Sequence, residues 1–442
     1  MSRSDSVSIA FVTLGCPKNE VDSDRMAAAV AGSAYRLVGD PDDADVVVLN
    51  TCAFIEPATE ESIEEAFALA HEWRPARPGR RLIVAGCMVS RYGDDLAAAM
   101  PEPDAFVAVA DEDTLLSVIE RLTGRLAGRV PTGILRTPGA HTAYLKVTEG
   151  CDRNCAYCTI PAIRGRFMSI PQATVLQEAE YLVEHGAREL VLVGQDIARY
   201  GHGAPVGPGT RPAAPDLASL VRALDALPGD FRIRLMYLQP DGVTPALLEA
   251  VATSRRVCHY FDIPLQHASA HILRAMGRPG DAATHRALLQ RIRSTLPDVT
   301  LRTTVMAGFP GETEADAQVL EDFIAEAGFD YVGVFPYSAE EGTRAAEMPG
   351  QVAEPLRLER AQRIRDIADA TGFARAAQRV DTTAQVLVEG TDEDGQLWGR
   401  TRSQAPEVDG ITLLDAVSSP AGAFVTVRIT DSVGYDLVGE PL

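Results

Sequence analysis

Lysine is nearly absent from this chain: Lys18 and Lys146 are the only two, so positive charge rests almost wholly on arginine. We read that bias as coding composition rather than mechanism. Lysine and arginine together number 41 against 62 acidic residues, a net charge of −21. The shortage weighs against a protein whose affinity rests mainly on neutralising phosphates, which usually shows a basic face. A basic partner suits such a surface, and so does the plainer role of keeping the chain in solution. Long apolar runs are missing too. Nowhere do about eighteen apolar residues follow one another, and the opening MSRSDSVSIAFVTLGC has no basic segment leading into an apolar stretch. Membrane spans and a secretory leader are therefore not expected, and the reading is a cytoplasmic protein.

Cysteine is scarce and odd in number. Seven residues in a long chain of this kind make paired disulfides the weaker explanation and metal or redox chemistry the stronger. What the chain does hold is ordinary globular material, 46% hydrophobic and 23% charged. At 442 residues it exceeds the size at which one core stops growing, so two or three domains are expected.

Over residues 1–125 the short β-rich runs SIAFVTLG, ADVVVLNT, RLIVAG and AFVAVA alternate with helical stretches at 20–31, 59–71, 91–99 and 113–122. That is the pattern of a small parallel α/β domain. Residues 126–140 are rich in Gly and Pro and read as a linker. From 141 to 369 the strands AYLKVTEG, RELVLVG, RIRLMYL, HYFDIPLQ, VTLRTTVMAG and YVGVFPYS are separated by helices. They predict a partial (βα)6 barrel, short of the usual eight units, with 201–215 as an exposed loop. After a helix at about 353–376 the pattern changes, and 370–442 reads as a small antiparallel β-barrel or sandwich of the binding-module kind.

Cys151, Cys155 and Cys158 stand just after the first barrel strand in KVTEGCDRNCAYCTIP. Gly150 permits a tight departure there, and βα loops of such a sheet face its catalytic end. Three thiolates hold three irons of a cubane and leave the fourth open to an exchangeable ligand. A structural zinc wants four ligands, and the nearest histidine, His141, lies across the predicted strand. Three inert buried thiols so close together would invite oxidation or metal. Cys16, Cys52 and Cys87 each follow a predicted strand of the first domain. Strand ends of a parallel sheet share one edge, so these thiols can meet and hold a second cluster with an open iron. Independent buried cysteines are the alternative. Cys258, alone before a barrel strand, reads as structural.

The loop C-x3-C-x2-C, with Tyr157 before its last cysteine, resembles the signature of the radical S-adenosylmethionine superfamily. The resemblance implies that S-adenosylmethionine chelates the open iron and is cleaved to methionine and a 5′-deoxyadenosyl radical. Two three-cysteine sets and a terminal β domain together resemble the methylthiotransferase family over essentially the whole chain. That implies an amino-terminal methylthiotransferase domain, a radical barrel and a terminal TRAM domain. It also implies two 4Fe–4S clusters, a reductant such as flavodoxin or ferredoxin, and a sulfur donor. LGCPKNEVDSD, PLQHASAHILRAMGR and VGVFPYSAEEGT point to the branch that methylthiolates the β-carbon of an aspartate in small-subunit ribosomal protein twelve. tRNA-modifying relatives typically open with GCQMN, carry PLQSG, and place an Arg after YS, where this chain has GCPKN, His267, and Glu340 with Glu341. Asp24 departs slightly from the branch, in which a Glu is common.

By the same resemblance Gly194, Gln195 and Asp196 in VLVGQD, and Gly308 and Gly311 in MAGFPGETE, contact S-adenosylmethionine, as Tyr157 does. Taken alone, such glycines are ordinary turns. His267 reads equally as a hydrogen-bonded core histidine, and no general base is assigned. Residues 370–442 hold five arginines against eleven carboxylates, which favours a basic protein target over RNA. A tRNA adenosine methylthiotransferase and a non-catalytic iron–sulfur scaffold are the other two readings.

Overall fold

The computed structural model describes residues 6–128, 136, 141–202, 215–416 and 418–442. Its contacts divide the chain into two compact units. The first is Met1–Pro138 with Glu149–Arg153 and Thr159–Met168, and the second is Gly139–Thr148 with Asn154–Cys158 and Ser169–Leu442.

The first unit is a parallel sheet of β1 (Ser8–Thr13), β2 (Arg36–Leu37), β3 (Val46–Thr51), β4 (Arg81–Gly86) and β5 (Ala105–Ala108) in the order β2-β1-β3-β4-β5. VVVLNT of β3 is buried at every position, as a central strand covered on both faces must be. Helices α1 (Pro17–Ala31), α2 (Glu56–Ala68) and α3 (Cys87–Ala99) make crossovers, and α4 (Leu115–Thr123) follows β5. The chain steps to β2 on one side of β1 and then to β3 on the other, so the order reverses between β1 and β3. In open α/β sheets that reversal opens a crevice outside the carboxyl ends of the strands. The expected linker starts on this unit, with Ala127 buried and Arg136 paired to Asp24 at 2.6 Å. Its residues 129–135 and 137–140 lie outside the described residues, as do 203–214 of the expected exposed loop.

In the second unit six parallel strands, β6 (Thr142–Lys146), β7 (Glu189–Val193), β8 (Arg232–Leu235), β9 (Val257–Asp262), β10 (Thr300–Ala307) and β11 (Tyr331–Pro336), pair in sequence order from β6 to β11. This is the partial (βα)6 barrel, around one large apolar core that includes Leu190, Leu192, Ile233, Phe261 and Val305. Cys258 lies inside β9 rather than before it and is fully buried. The hydrophobic pattern placed the strand two residues late because its first turns of chain, Val257 and Cys258, follow Arg255 and Arg256 without a turn residue. The helix Glu354–Ala377 then leads to a closed barrel of β12 (Thr383–Thr391), β13 (Leu397–Thr401), β14 (Thr412–Leu414), β15 (Phe424–Val433) and β16 (Asp436–Pro441).

A buried ionic cluster docks this closed barrel on the amino ends of the six strands. Glu189 and Arg232 open neighbouring strands in register. The Glu189 carboxylate accepts from Arg232 at 2.7 Å, from Arg234 at 2.6 Å and from Arg400 of the terminal barrel at 2.8 Å, all with side chains at most 3% exposed. Arg234 and Arg402 add hydrogen bonds to backbone carbonyls across the same contact. Asp409 receives Tyr260 Oη at 2.7 Å and faces Arg302 at 3.4 Å. The carboxyl ends of the strands stay clear of this docking, which leaves them for chemistry.

Removing the central carboxylate would strand three buried guanidinium groups. Glu189→Gln is expected to cost about 3–5 kcal/mol of stability, read as a lowered denaturant midpoint. Although burial alone would raise its pKa, the three arginines hold the Glu189 carboxyl well below the usual range. Its contribution is therefore present above the unfolded carboxylate value of about 4.3 and lost as pH falls below it. Glu189→Gln should accordingly flatten the acid limb of a stability–pH curve.

Candidate iron–sulfur and cofactor site

In the first unit the three cysteines sit on the crevice that the strand order creates. Thr51 of β3 pairs with Gly86 of β4, so Cys52 and Cys87 leave adjacent strands side by side. Cys16 precedes α1, whose Pro17 starts the helix at a position that needs no N–H. Gly15 has φ +95°, and a Cβ there would lie 2.5 Å from Cys52 Cβ and 2.9 Å from Cys52 Sγ. Gly86 has φ +93° and would collide with the Asn50 side-chain oxygen. Only glycine allows both turns to close in this way.

Asn19 gathers the three loops. Fully buried, it donates from Nδ2 to Leu14 O at 3.0 Å and Thr51 O at 2.8 Å. Its Oδ1 lies 3.9 Å from Cys16 Sγ and 3.5 Å from Cys87 Sγ. Ser62 fixes the third loop, accepting from Cys52 N–H at 3.0 Å and donating to Cys52 O at 2.8 Å. Arg164 reaches the same point, with Nη2 2.6 Å from Asn19 Oδ1 and 3.4 Å from Cys87 Sγ. Burial pushes the Cys87 thiol up to about 12 despite Arg164, and the neighbouring thiols of Cys16 and Cys52 raise it further. Burial raises the Cys52 thiol as well. Among the described residues no three His, Cys, Asp or Glu side chains are drawn in tightly enough to cage one ion. A cubane asks for a wider spacing, because each thiolate meets a different iron.

Cys151 belongs to the first unit, where its N–H donates to Gly165 O at 3.1 Å. Cys155, Tyr157 and Cys158 belong to the second. There the loop is braced by the segments quoted for the family resemblance. Ala156 donates to Met276 O and accepts from Ala345 N–H, each at 2.9 Å. Arg344 Nη2 holds Asn154 O at 2.7 Å, and Arg278 Nη1 stands 4.0 Å from Cys155 Sγ. Tyr157 packs edge-on to Phe309 at 6.5 Å between centroids, in an apolar cluster with Ala156 and Met276. Its ring thus supports the loop from beneath.

The carboxyl ends of the barrel strands carry the remaining predicted residues. Gly194 packs against Thr148 with no room for a Cβ. Both side-chain polar atoms of Gln195, Thr148 Oγ1 and Gln239 Oε1 are buried without a hydrogen-bond partner. Asp196 is fully buried beside them in sequence. Unpartnered polar atoms at the mouth of a barrel fit a polar ligand such as S-adenosylmethionine. Gly308 N–H donates to Glu312 Oε2 at 2.9 Å and Gly311 N–H to Gly350 O at 2.8 Å. His267 is a core histidine: fully buried, it accepts from Ser269 N–H at 2.9 Å through Nδ1, and its Nε2 lies 3.3 Å from Glu312. Tyr237 and Gln266, at φ +61° and +73°, follow strands β8 and β9 in a conformation that side chains rarely adopt. Strain of this kind collects at functional sites.

Sequence reasoning passed over Asn19, Ser62, Arg164, Gln239 and Glu312, and also the two lysines. Lys18 opens α1 beside Cys16 and Lys146 ends β6 before the cysteine loop, both nearly buried. In a chain that elsewhere uses arginine, two surviving lysines at two site edges were the available signal, since the two residues are not interchangeable where a compact charge is needed.

Comparison with known proteins agrees with this geometry. Residues 8–108 match "Uncharacterized protein family UPF0004", 145–324 the radical SAM superfamily and 380–442 the TRAM domain. Among solved structures, the radical S-adenosylmethionine methyltransferase TsrM from Kitasatospora setae shares the fold, with a TM-score of 0.53 at 14% identity over 74% of this chain and 73% of that one. The cobalamin-dependent S-adenosylmethionine radical enzyme OxsB does so at a TM-score of 0.51 and 12% identity, over 82% and 56%. Fold and domain content are those of a radical SAM methylthiotransferase, a transferase that works with S-adenosylmethionine and two 4Fe–4S clusters. "Ribosomal protein uS12 methylthiotransferase RimO" of Geobacter sulfurreducens is 42% identical over 98% of both chains, and that of Anaeromyxobacter sp. is 44% identical over 97% of this chain and 92% of its own. The chain belongs to the RimO family.

Burial raises the Cys52 and Cys87 thiols, so iron binding there would have to expel their protons. In a variant lacking Cys151, Cys155 and Cys158, cluster assembly at the first set should improve as pH rises from about 7 to about 8.5. Iron bound per chain after anaerobic reconstitution measures this, and a flat yield across that range would contradict it.

Proposed function

We propose that this enzyme adds a methylthio group to the β-carbon of an aspartate in ribosomal protein uS12, in the cytoplasm. Cys16, Cys52 and Cys87 would hold one cluster and Cys151, Cys155 and Cys158 the other. When bound, the clusters and S-adenosylmethionine supply the sulfur-carrying and hydrogen-abstracting chemistry that an unactivated C–H bond requires. The chain's part is to hold and orient. Gln195, Asp196 and the Gly194, Gly308 and Gly311 turns would position S-adenosylmethionine at the barrel mouth, with Tyr157 supporting the cysteine loop. By function the segments divide into 1–125 for the first cluster, 126–140 as linker, 141–369 for the radical chemistry and 370–442 for substrate binding. An electron donor such as flavodoxin or ferredoxin and a separate sulfur donor complete the set of partners. The convergence of Cys16, Cys52 and Cys87 around Asn19 is the observation that carries this reading, because it gives a second three-thiol set beside the C-x3-C-x2-C loop.

Charge supports a basic protein as substrate. Eight of the eleven carboxylates in 370–442 are exposed, against Arg428 alone of the five arginines. Arg375 and Arg379 are engaged with Asp330, and Arg400 with Glu189. The surface left over repels a phosphate backbone within the screening length. Asp392 in the hairpin turn is already occupied, accepting from Asp394 N–H at 3.0 Å and Gln396 N–H at 2.8 Å. The exposed Glu393 and Asp394 are therefore the residues to reverse.

Anaerobically reconstituted protein should bind about eight irons, and replacing either cysteine set by Ala should remove about half. Full iron retention in either triple variant would defeat the two-cluster reading. The variant lacking Cys16, Cys52 and Cys87 should still cleave S-adenosylmethionine on reduction while forming no methylthio product, whereas loss of cleavage with the other cluster intact would show that the roles are not divided so. Glu393→Lys with Asp394→Lys should weaken binding of uS12 and lower its salt dependence. Unchanged affinity would remove this turn from the docking surface, and tight, salt-dependent binding of tRNA by the unaltered protein would favour a nucleic-acid substrate.

A further inference from the structure

Arg164 ends the short helix Ile160–Arg164 that follows the C-x3-C-x2-C loop, and its side chain is 1% exposed. Nη1 donates to Asp22 Oδ2 at 2.9 Å and to the two Glu149 oxygens at 3.2 and 3.3 Å. Nη2 is directed elsewhere, to Asn19 Oδ1 at 2.6 Å and Cys87 Sγ at 3.4 Å. Charge neutralisation alone would be met by the carboxylates on Nη1. It does not require the other nitrogen to face the amide that gathers the cysteine loops and one of the thiols. A neutral thiol is a weak acceptor, while a thiolate ligand accepts strongly from a cationic donor. Such donors outside the ligand set orient metal ligands and tune the metal.

The residues next to Arg164 serve the other cysteine set. Gly165 O accepts the Cys151 N–H at 3.1 Å. A Cβ on Gly150 would collide with Arg166 O and lie 2.7 Å from Gly165 O, so Gly150 is packed flat against this turn. One three-residue turn therefore touches Cys87 through a side chain and Cys151 through the backbone, within the first unit.

We propose that Arg164 is a positioning residue for the Cys16, Cys52 and Cys87 cluster, holding Cys87 in place and raising the cluster's reduction potential. The inference rests on the reading of those three cysteines as cluster ligands. A positive donor beside a ligand sulfur favours the reduced, more negative cluster, which raises the potential. Lysine at this position supplies one compact charge and cannot span carboxylates, amide and sulfur as the guanidinium does.

The test uses the full chain lacking Cys151, Cys155 and Cys158, so that one cluster is read. Two variants are compared: Arg164→Lys, which keeps the charge, and Arg164→Met with Asp22→Asn, which avoids a stranded buried carboxylate. Iron per chain, far-UV circular dichroism and an EPR-monitored redox titration are measured on each. The expected result is a folded protein whose midpoint moves to more negative potential, or one that loses its iron to a chelator faster than the parent. An unchanged midpoint together with unchanged iron retention would overturn the proposal, as would loss of the helical signal in both variants, which would make Arg164 a folding residue. Failure of the underlying reading is separable, because then the parent itself would hold no iron that depends on Cys16, Cys52 and Cys87.

Discussion

Three of the cysteines, Cys16, Cys87 and Cys151, take up their positions only because the residue before each carries no side chain. This constraint governs the site. Gly15, Gly86 and Gly150 precede Cys16, Cys87 and Cys151, each has positive φ, and each would collide with a neighbour if given a Cβ. Backbone freedom at these positions costs conformational entropy in the unfolded chain. That cost is tolerated because the thiols arrive close to the strand ends, Cys87 directly after β4 and Cys16 three residues past β1. Cys52 differs. It follows Thr51 directly and is held by Ser62 at both its N–H and its carbonyl, and its side chain fills the space that Gly15 leaves.

The two ends of the second unit divide the labour of a parallel sheet. Glu189 and Arg232 open their strands and, with Arg234, turn ionic groups toward the terminal barrel, while Gln195, Gln239 and Gly308 follow the carboxyl ends. A buried ion pair is weak evidence for net stability, because desolvation offsets most of its Coulomb gain. It is strong evidence for register, since a terminal barrel rotated by one residue would carry Arg400 away from Glu189, which Arg232 and Arg234 hold from the neighbouring strand. Strands of about six residues set the docking edge and the chemical edge roughly 20 Å apart. Residues at the docking edge and residues at the barrel mouth can thus vary independently.

Much of this was legible in the sequence, for reasons that differ by element. Strands β1, β3 and β4 are built on the apolar runs IAFV, VVVL and LIVA, as strands of a sheet covered on both faces are. Cys151, Cys155 and Cys158 could be grouped by their close spacing, and Cys16, Cys52 and Cys87 because each follows a strand of one parallel sheet, whose ends share an edge. The sheet order was not legible, and with it the fact that Cys52 and Cys87 stand side by side on paired strands. Asn19, Asp22 and Arg164 were hidden for a related reason. They are polar residues whose partners lie up to 145 positions away, and their types, taken singly, are ordinary surface choices. The acidic character of 370–442 was visible as a count, but the count understated the surface, because four of its five arginines turn inward to barrel groups.

That inward turn makes the acidity of the terminal barrel a consequence of its docking. Arg400 cannot both satisfy Glu189 and present charge to solvent, and the same holds for Arg375 and Arg379 against Asp330. Each arginine drawn into the contact leaves a carboxylate elsewhere on the small barrel without compensation, so the interior electrostatics that fix the domain also set the sign of the face it shows. A substitution that loosens the ionic contact should therefore do two things together: weaken the seat of the barrel and make its outer surface less negative. Encounter with a basic partner, which depends on the long-range field, is in this way coupled to a buried interaction at the opposite edge of the sheet from the barrel mouth.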